Sequence, residues 1–205
     1  MLNICTDFAE SYDVLFNSTK SKLLYYGHVE SKPVVSPIEF NGSIIDLVKH
    51  EKHLGNIIGQ NNLKPMVQDC IHTFNGRVNM VKSHFHHIDP DALYQIFKTY
   101  CMPLYGSQLW DYDSKTVDLF YVSWRKAIRK LLNLPNRTHC NLLPHICDDV
   151  PPDIQLYRRV ISFVKGLSIS NNMLSSICYR LAVFGSGSAL SNTISILSNM
   201  WSVPR

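Results

Sequence analysis

The sequence predicts an α+β fold that is mainly α, with short antiparallel strands up to about residue 60 and a helical bundle from 61 to 170. Three observations carry that expectation. Asn41-Gly42 sits between two short apolar runs, and Asn-Gly is the strongest local hairpin signal because both residues accept positive φ. Strand-like signals stop near residue 60. From there, apolar residues recur at about 3.6-residue spacing in four successive stripes joined by short loops, the pattern of a small bundle.

The elements follow in order. Cys5, Phe8, Ala9, Tyr12 and Phe16 mark one face of a helix over residues 2–16, with Asn17 ending it because Asn tolerates the left-handed conformation. Leu23-Leu24-Tyr25-Tyr26 forms a short strand closed by Gly27. Lys32-Pro33 and Ser36-Pro37 mark a loop, and Ile38–Phe40 pairs with Ser43–Ile45 across the Asn-Gly turn. The first long helix buries Val67, Cys70, Ile71, Phe74, Val78 and Val81. Asp89 caps the next, with Pro90 at its first position, and Leu93, Ile96, Phe97, Tyr100, Cys101 and Leu104 face inward. The third stripe is Val117, Phe120, Tyr121, Trp124, Ile128, Leu131 and Leu132, stopped by Pro135. A fourth starts after Pro151-Pro152, uses Ile154, Tyr157, Val160, Ile161 and Val164, and ends at Gly166. Residues 171–205 are Ser- and Asn-rich, with a Gly185-Ser186-Gly187-Ser188 break, and are expected as a loosely attached tail holding one or two short helices at most.

Composition narrows the class. With 45% hydrophobic and 18% charged residues, the 205-residue chain has the content of a globular protein with a core. Twenty Lys and Arg against 16 Asp and Glu give +4, which permits nucleic-acid binding without arguing for it. The six cysteines follow no framework spacing and most have apolar neighbours, so reduced thiols and an intracellular location, cytoplasmic or nuclear, are expected. The first residues lack a signal-peptide pattern, and no apolar run approaches the ~20 residues of a membrane span.

The helix around Trp124 carries the clearest physical signal. Its apolar residues fall on one side, and Arg125, Lys126, Arg129 and Lys130 fall together on the other with no acidic partner within two turns. That self-repulsion is relieved if phosphates face it, although a plain solvated basic face has the same pattern. None of the four lies on the buried stripe, so their removal is expected to spare the fold.

Several short motifs share an order along the chain. Asn17-x-x-Lys20-Ser21-x-Leu23 comes first, then His53-Leu54-Gly55, then Tyr100-Cys101-Met102-Pro103-Leu104-Tyr105-Gly106. Trp124-Arg125-Lys126-Ala127-Ile128-Arg129-Lys130 follows, continuing through Leu134-Pro135 and Thr138-His139 to Leu142-Leu143. In this order they resemble the back half of a LINE-type reverse transcriptase from non-LTR retrotransposons, over about residues 1–170. The resemblance implies that residues 1–60 are the end of a polymerase palm and 61–170 a helical thumb. It places Lys20 near the incoming triphosphate, as a cation able to protonate the leaving pyrophosphate. It places Leu54 and Gly55 in the hairpin that grips the primer strand, and the basic face of the Trp124 helix against the template–primer duplex.

The family's two metal-binding aspartates are expected upstream of residue 1, as in copies shortened at that end. No metal ligand is therefore assigned here, and the Mg²⁺ of the family has no cofactor counterpart in this chain. The expectation is a reverse transcriptase fragment, inactive alone, that binds RNA–DNA or DNA duplexes weakly and without sequence preference. A non-catalytic nucleic-acid-binding module and an inert helical protein are the alternatives. Oligomeric state is left open.

Cys147-Asp148-Asp149 superficially matches a Tyr-x-Asp-Asp loop but lies on the wrong side of the other motifs and lacks flanking apolar strands. Its aspartates are expected to complement the N-terminus of the helix after Pro151. His84, His86 and His87, and the group His139, Cys140, His145 and Cys147, lack zinc-site spacing.

Overall fold

The computed structural model describes residues 2–26, 36–40, 42–185 and 189–202. Gly27, Lys32, Pro33, Asn41 and Gly187 lie outside them. The chain divides into two units, residues 1–62 and residues 63–205.

In the first unit, helix α1 (Leu2–Tyr12) is followed by a 3-10 turn at Ser18–Lys20 and six short strands. The helix ends earlier than the Asn17 stop expected from sequence. Asp13 takes φ 53°, and the Val14 N–H bonds back to the Ala9 carbonyl, a Schellman closure. Asn17 instead caps the 3-10 turn, its side chain accepting from the Lys20 N–H.

Among the described residues the strands make three separate two-stranded pairs. Two are the antiparallel hairpins β2–β3 (Glu39–Phe40, Ser43–Ile44) and β5–β6 (His50–His53, Asn56–Gly59). The third corrects an expectation of purely antiparallel pairing. Strand β1 (Lys22–Leu24) runs parallel to β4 (Asp46–Val48), with Leu23 opposite Leu47. Parallel pairing requires a long crossover, and the segment carrying β2–β3 supplies it. A 2.7 Å Lys22–Asp46 ion pair closes one end of this ladder. Tyr25 and Tyr26 fall outside the strand and are exposed. Phe40, against Phe16 at 5.6 Å between ring centroids, is the unit's only buried large apolar side chain among the described residues.

The second unit is all helical. Helices α2 (Leu63–His84), α3 (Pro90–Tyr100) and α4 (Lys115–Leu131) meet in an aromatic core. Phe74 lies edge-on to both Phe97 (5.9 Å) and Phe120 (5.3 Å), and Phe120 edge-on to Trp110 (5.7 Å). T-shaped aromatic pairs at these distances add about 0.5–1.5 kcal/mol each beyond area burial. Phe74, Phe97, Trp124, Ile128 and Val160 are all buried, as their stripes require. Cys70, Ile71, Ile96, Tyr157 and Val164 are only half-buried, and Tyr100 and Ile161 are exposed at the margins of their stripes.

Asp89 caps α3 by accepting from the Asp91 and Ala92 N–H groups, with Pro90 at the first position as expected. Helix α4 stops at Leu131 rather than at Pro135, closed by Asn133 at φ 53° and a Leu134 N–H bond to the Arg129 carbonyl. A short helix α5 (Leu142–Ile146) follows, and its end is closed the same way by Asp148. Helix α6 (Pro152–Ile169) runs through Gly166, where the sequence suggested an end. The surface position of that glycine leaves room for uninterrupted helix.

After residue 170 the structure shows two helices, α7 (Met173–Phe184) and α8 (Ala189–Ser202), within the same unit as the bundle. Asn172 caps α7 through the Leu174 N–H, and Thr193 is fully buried. The abundance of Ser and Asn here supplies caps and buried hydroxyls as well as solvated positions.

The 101–112 segment is the least regular part of the core and the best buried. Cys101, Met102, Leu104, Ser107, Trp110 and Tyr112 are all buried. Arg77 Nη1 donates to the Pro103 carbonyl at 3.2 Å and lies over the Tyr100 ring, while Arg159 donates to the Met102 carbonyl. Two guanidinium groups thus satisfy carbonyls that no helix or strand could satisfy.

Asp149 holds the 147–150 turn onto α3, which corrects its expected role as a complement to the α6 N-terminus. Its Oδ2 accepts from Tyr94 Oη (3.0 Å) and pairs with Lys98 Nζ (2.7 Å), and Oδ1 accepts from the Val150 N–H (2.7 Å). Burial raises the Asp149 carboxyl, but Lys98, the Val150 amide and Tyr94 outweigh it and hold the group below its ordinary value. The carboxylate therefore stabilises the fold at neutral pH, and that contribution is lost as pH falls through the depressed folded value. In acid titrations followed by circular dichroism, Asp149→Asn should cost about 1–3 kcal/mol at pH 7. The gap to wild type should close as pH falls below the ordinary carboxylate range and through the depressed folded value; a gap independent of pH would refute the carboxylate's role.

Candidate nucleic-acid interface

The sequence-selected residues fall on both units, Lys20, Leu54 and Gly55 in the first and the four cations of α4 in the second. Lys20 ends the 3-10 turn that leads from α1 into β1, with an exposed side chain. The Asn17 cap holds its backbone, and Thr19 Oγ1 donates to the Asn17 carboxamide at 2.6 Å. What is fixed is therefore the turn, while the ammonium stands in solvent.

Leu54 and Gly55 form the two-residue tip of the β5–β6 hairpin, between the paired residues His53 and Asn56. Both take positive φ, 48° and 81°, as a type I′ turn demands. Four other described non-glycine residues share this conformation, namely Asp13, Asn61, Asn133 and Asp148. Those four are Asp or Asn, whose short polar side chains tolerate the left-handed region. Leu54 is the exception: a bulky side chain, 78% exposed, held in a conformation that costs roughly 1–2 kcal/mol. It gains no packing in return.

On α4 the apolar side (Val117, Phe120, Trp124, Ala127, Ile128, Leu131) is buried, which turns Arg125, Lys126, Arg129 and Lys130 outward. Lys126 and Lys130 are exposed, and Arg125 and Arg129 half-buried. Lys126, Arg129, Lys130, Asn133, Leu134 and Asn136 line an open notch of about 670 Å³ at the C-terminal end of the helix. None of the four cations meets a carboxylate among the described residues.

They are not equivalent, however. Arg129 donates through Nε (3.2 Å) and Nη2 (2.8 Å) to the Thr138 carbonyl, pinning the 132–139 loop, and Lys130 Nζ reaches Asn79 Oδ1 at 2.5 Å. Removal of all four would thus disturb packing, contrary to the expectation from the stripe alone. Arg125 and Lys126 carry no such bond. Sequence reading missed Lys82, whose ammonium meets Asn133 Oδ1 (2.5 Å) and the Leu131 carbonyl (3.4 Å) and adds a fifth cation at this end. Its contribution depends on α2 crossing α4, which no local pattern reveals.

Among the described residues no group of three or more His, Cys, Asp or Glu gathers to hold a metal ion, and no helix is long and apolar enough to cross a membrane. Asp149 of the Cys147-Asp148-Asp149 run is committed to Tyr94, Lys98 and Val150, so this run does not fit a Mg²⁺ site. Burial, with a smaller push from Asp149, raises the Cys147 thiol to about 12, and burial raises Cys70 and Cys101 to about 11. Such thiols are poor nucleophiles and poor ligands. Cys140 and Cys178 are exposed instead. No protein-family model, no curated protein and no solved structure matches this chain.

Leu54→Asn should relieve the strain at the hairpin tip, since Asn-Gly suits a type I′ turn. Amide exchange across residues 50–59 should slow about fivefold, the equivalent of roughly 1 kcal/mol. Faster exchange would show that the leucine side chain supports the hairpin.

Proposed function

We propose that this chain is part of the palm-to-thumb region of a LINE-type reverse transcriptase and that, alone, it is a non-catalytic binder of nucleic-acid duplexes. The observation that carries the binding role is the one-sided set of four cations on α4, opposite the buried Trp124 face and without carboxylate partners among the described residues. Phosphates are the complementary surface for such a face, and phosphate contacts give affinity without sequence preference. The order of short motifs along the chain supports the family assignment, and the type I′ tip at Leu54-Gly55 agrees with a hairpin at the position the resemblance gives it.

A structural reading competes for two of the cations. Arg129 and Lys130 sit in the last turn of α4, where positive charge offsets the helix dipole, and both already hold neighbouring groups. The binding test therefore rests on Arg125 and Lys126. With about four phosphates neutralised, log affinity for an RNA–DNA hybrid should fall against log salt with a slope near −3 to −4. Arg125→Ala with Lys126→Ala should flatten the slope by about 2 while leaving the thermal midpoint unchanged. Fluorescence anisotropy with a labelled hybrid at several salt concentrations measures both, and equal slopes for the two proteins would reject the interface.

Lys20 alone cannot support nucleotide addition, because that chemistry needs metal ions held by carboxylates against the triphosphate. Purified protein should extend no primer on an RNA template. Chelator-sensitive incorporation above a boiled control would overturn this.

A further inference from the structure

The notch at the C-terminal end of α4 concentrates charge in a way that a plain basic face does not. Of the six side chains that line its volume of about 670 Å³, Lys126, Arg129 and Lys130 are cations, and none is an acid. Two of the three are already held by neutral groups, Arg129 by the Thr138 carbonyl and Lys130 by Asn79 Oδ1. A carbonyl or a carboxamide fixes a cation without cancelling its charge. Both cations also keep donors to spare, Nη1 on Arg129 and two further N–H groups on Lys130. An anion entering the notch therefore meets charges that are uncompensated and in part already ordered, which lowers the entropy cost of binding. The helix end contributes about half a negative charge, too little to offset three cations. Lys82 further occupies the Leu131 carbonyl and Asn133 Oδ1 beside it.

We infer that the notch takes the phosphorylated end of a nucleic-acid strand, with the phosphate on Lys126, Arg129 and Lys130 and the last nucleoside against Leu134 and Asn136. Two properties favour a strand end over the middle of a duplex. A phosphate inside a strand carries one charge, whereas a phosphomonoester carries roughly 1.5 to 2 at neutral pH and offers three strong acceptor oxygens. Three converging cations match the second better. The notch also exceeds what a phosphate alone fills and lies in the range of sites that hold whole small ligands, roughly 300–1,000 Å³. Leu134 supplies an apolar surface and Asn136 a carboxamide, which a phosphate does not use and a nucleoside does. This inference rests on the duplex binding proposed above and adds where on α4 a strand ends. Arg125 does not line the notch and acts on the adjoining duplex alone.

Fluorescence anisotropy on the full chain tests this with three versions of one internally labelled RNA–DNA hybrid, ending in hydroxyls only, in a 5′-phosphate or in a 3′-phosphate. One phosphorylated version should bind about three- to tenfold tighter than the hydroxyl version at low salt, the effect of a few added charge-assisted bonds. Lys126→Ala, at an exposed position, should bring that ratio to about one with unchanged circular dichroism. Arg125→Ala should weaken all three versions alike and keep the ratio. A free nucleoside monophosphate should erase the ratio only at roughly millimolar levels, because it lacks the anchoring duplex. Equal binding of the three versions by wild type would overturn this inference and leave duplex binding standing, whereas binding of none would overturn both. A ratio that survives Lys126→Ala would remove the strand end from the notch. Erasure by micromolar mononucleotide would make the notch a site for small phosphates and reject the strand.

Discussion

The aromatic contact of Phe74 with Phe97 and Phe120, extended by Trp110, is the constraint on which the second unit depends. It joins α2, α3 and α4 at one point, and edge-to-face geometry fixes the rotation of each helix about its own axis. Once Phe120 and Trp124 of α4 are committed inward, the position of every other α4 side chain follows. Arg125, Lys126, Arg129 and Lys130 then have nowhere to go but the surface. The basic face is thus a geometric consequence of the core, and its charges stand at fixed angles to one another.

Long periodic segments were legible in the sequence because their burial is a local property. The α2, α3 and α4 stripes, the Asp89 cap and the β2–β3 pairing all depend on residues close together in the chain. What escaped depends on distant partners. The parallel β1–β4 pairing joins residues 24 positions apart, and the burial of Trp110 and Met102 needs a loop folded back over the bundle. Helix ends were also misplaced, at Asn17, Pro135 and Gly166. The signal was present at two of these, in Asp13 and Asn133, but Asp and Asn serve in loops and caps alike. In the candidate interface the identity of the cations was readable and their division of labour was not. The bonds from Arg129 to Thr138 and from Lys130 to Asn79 appear only once the loop and α2 are in place.

The two units differ in how they are held. The bundle has a continuous core, with side-chain caps on α3, α4 and α7 and two guanidinium groups bracing its irregular segment. Residues 1–62 have three isolated two-stranded ladders and a single buried phenylalanine among the described residues. Two-stranded ladders are marginal in water, and their open edges offer unpaired backbone groups. Most of the chain's cooperative stability therefore resides after residue 62.

The placement of the indole rings has a practical consequence. Trp110 and Trp124 are buried in apolar surroundings, and neither indole N–H has a hydrogen-bond partner. An indole that donates to nothing and touches no water emits at short wavelength. All three tryptophans of the chain, Trp201 included, lie after residue 62. Residues 1–62 thus carry no tryptophan, and the two indoles whose burial is described both report from the core of the helical unit.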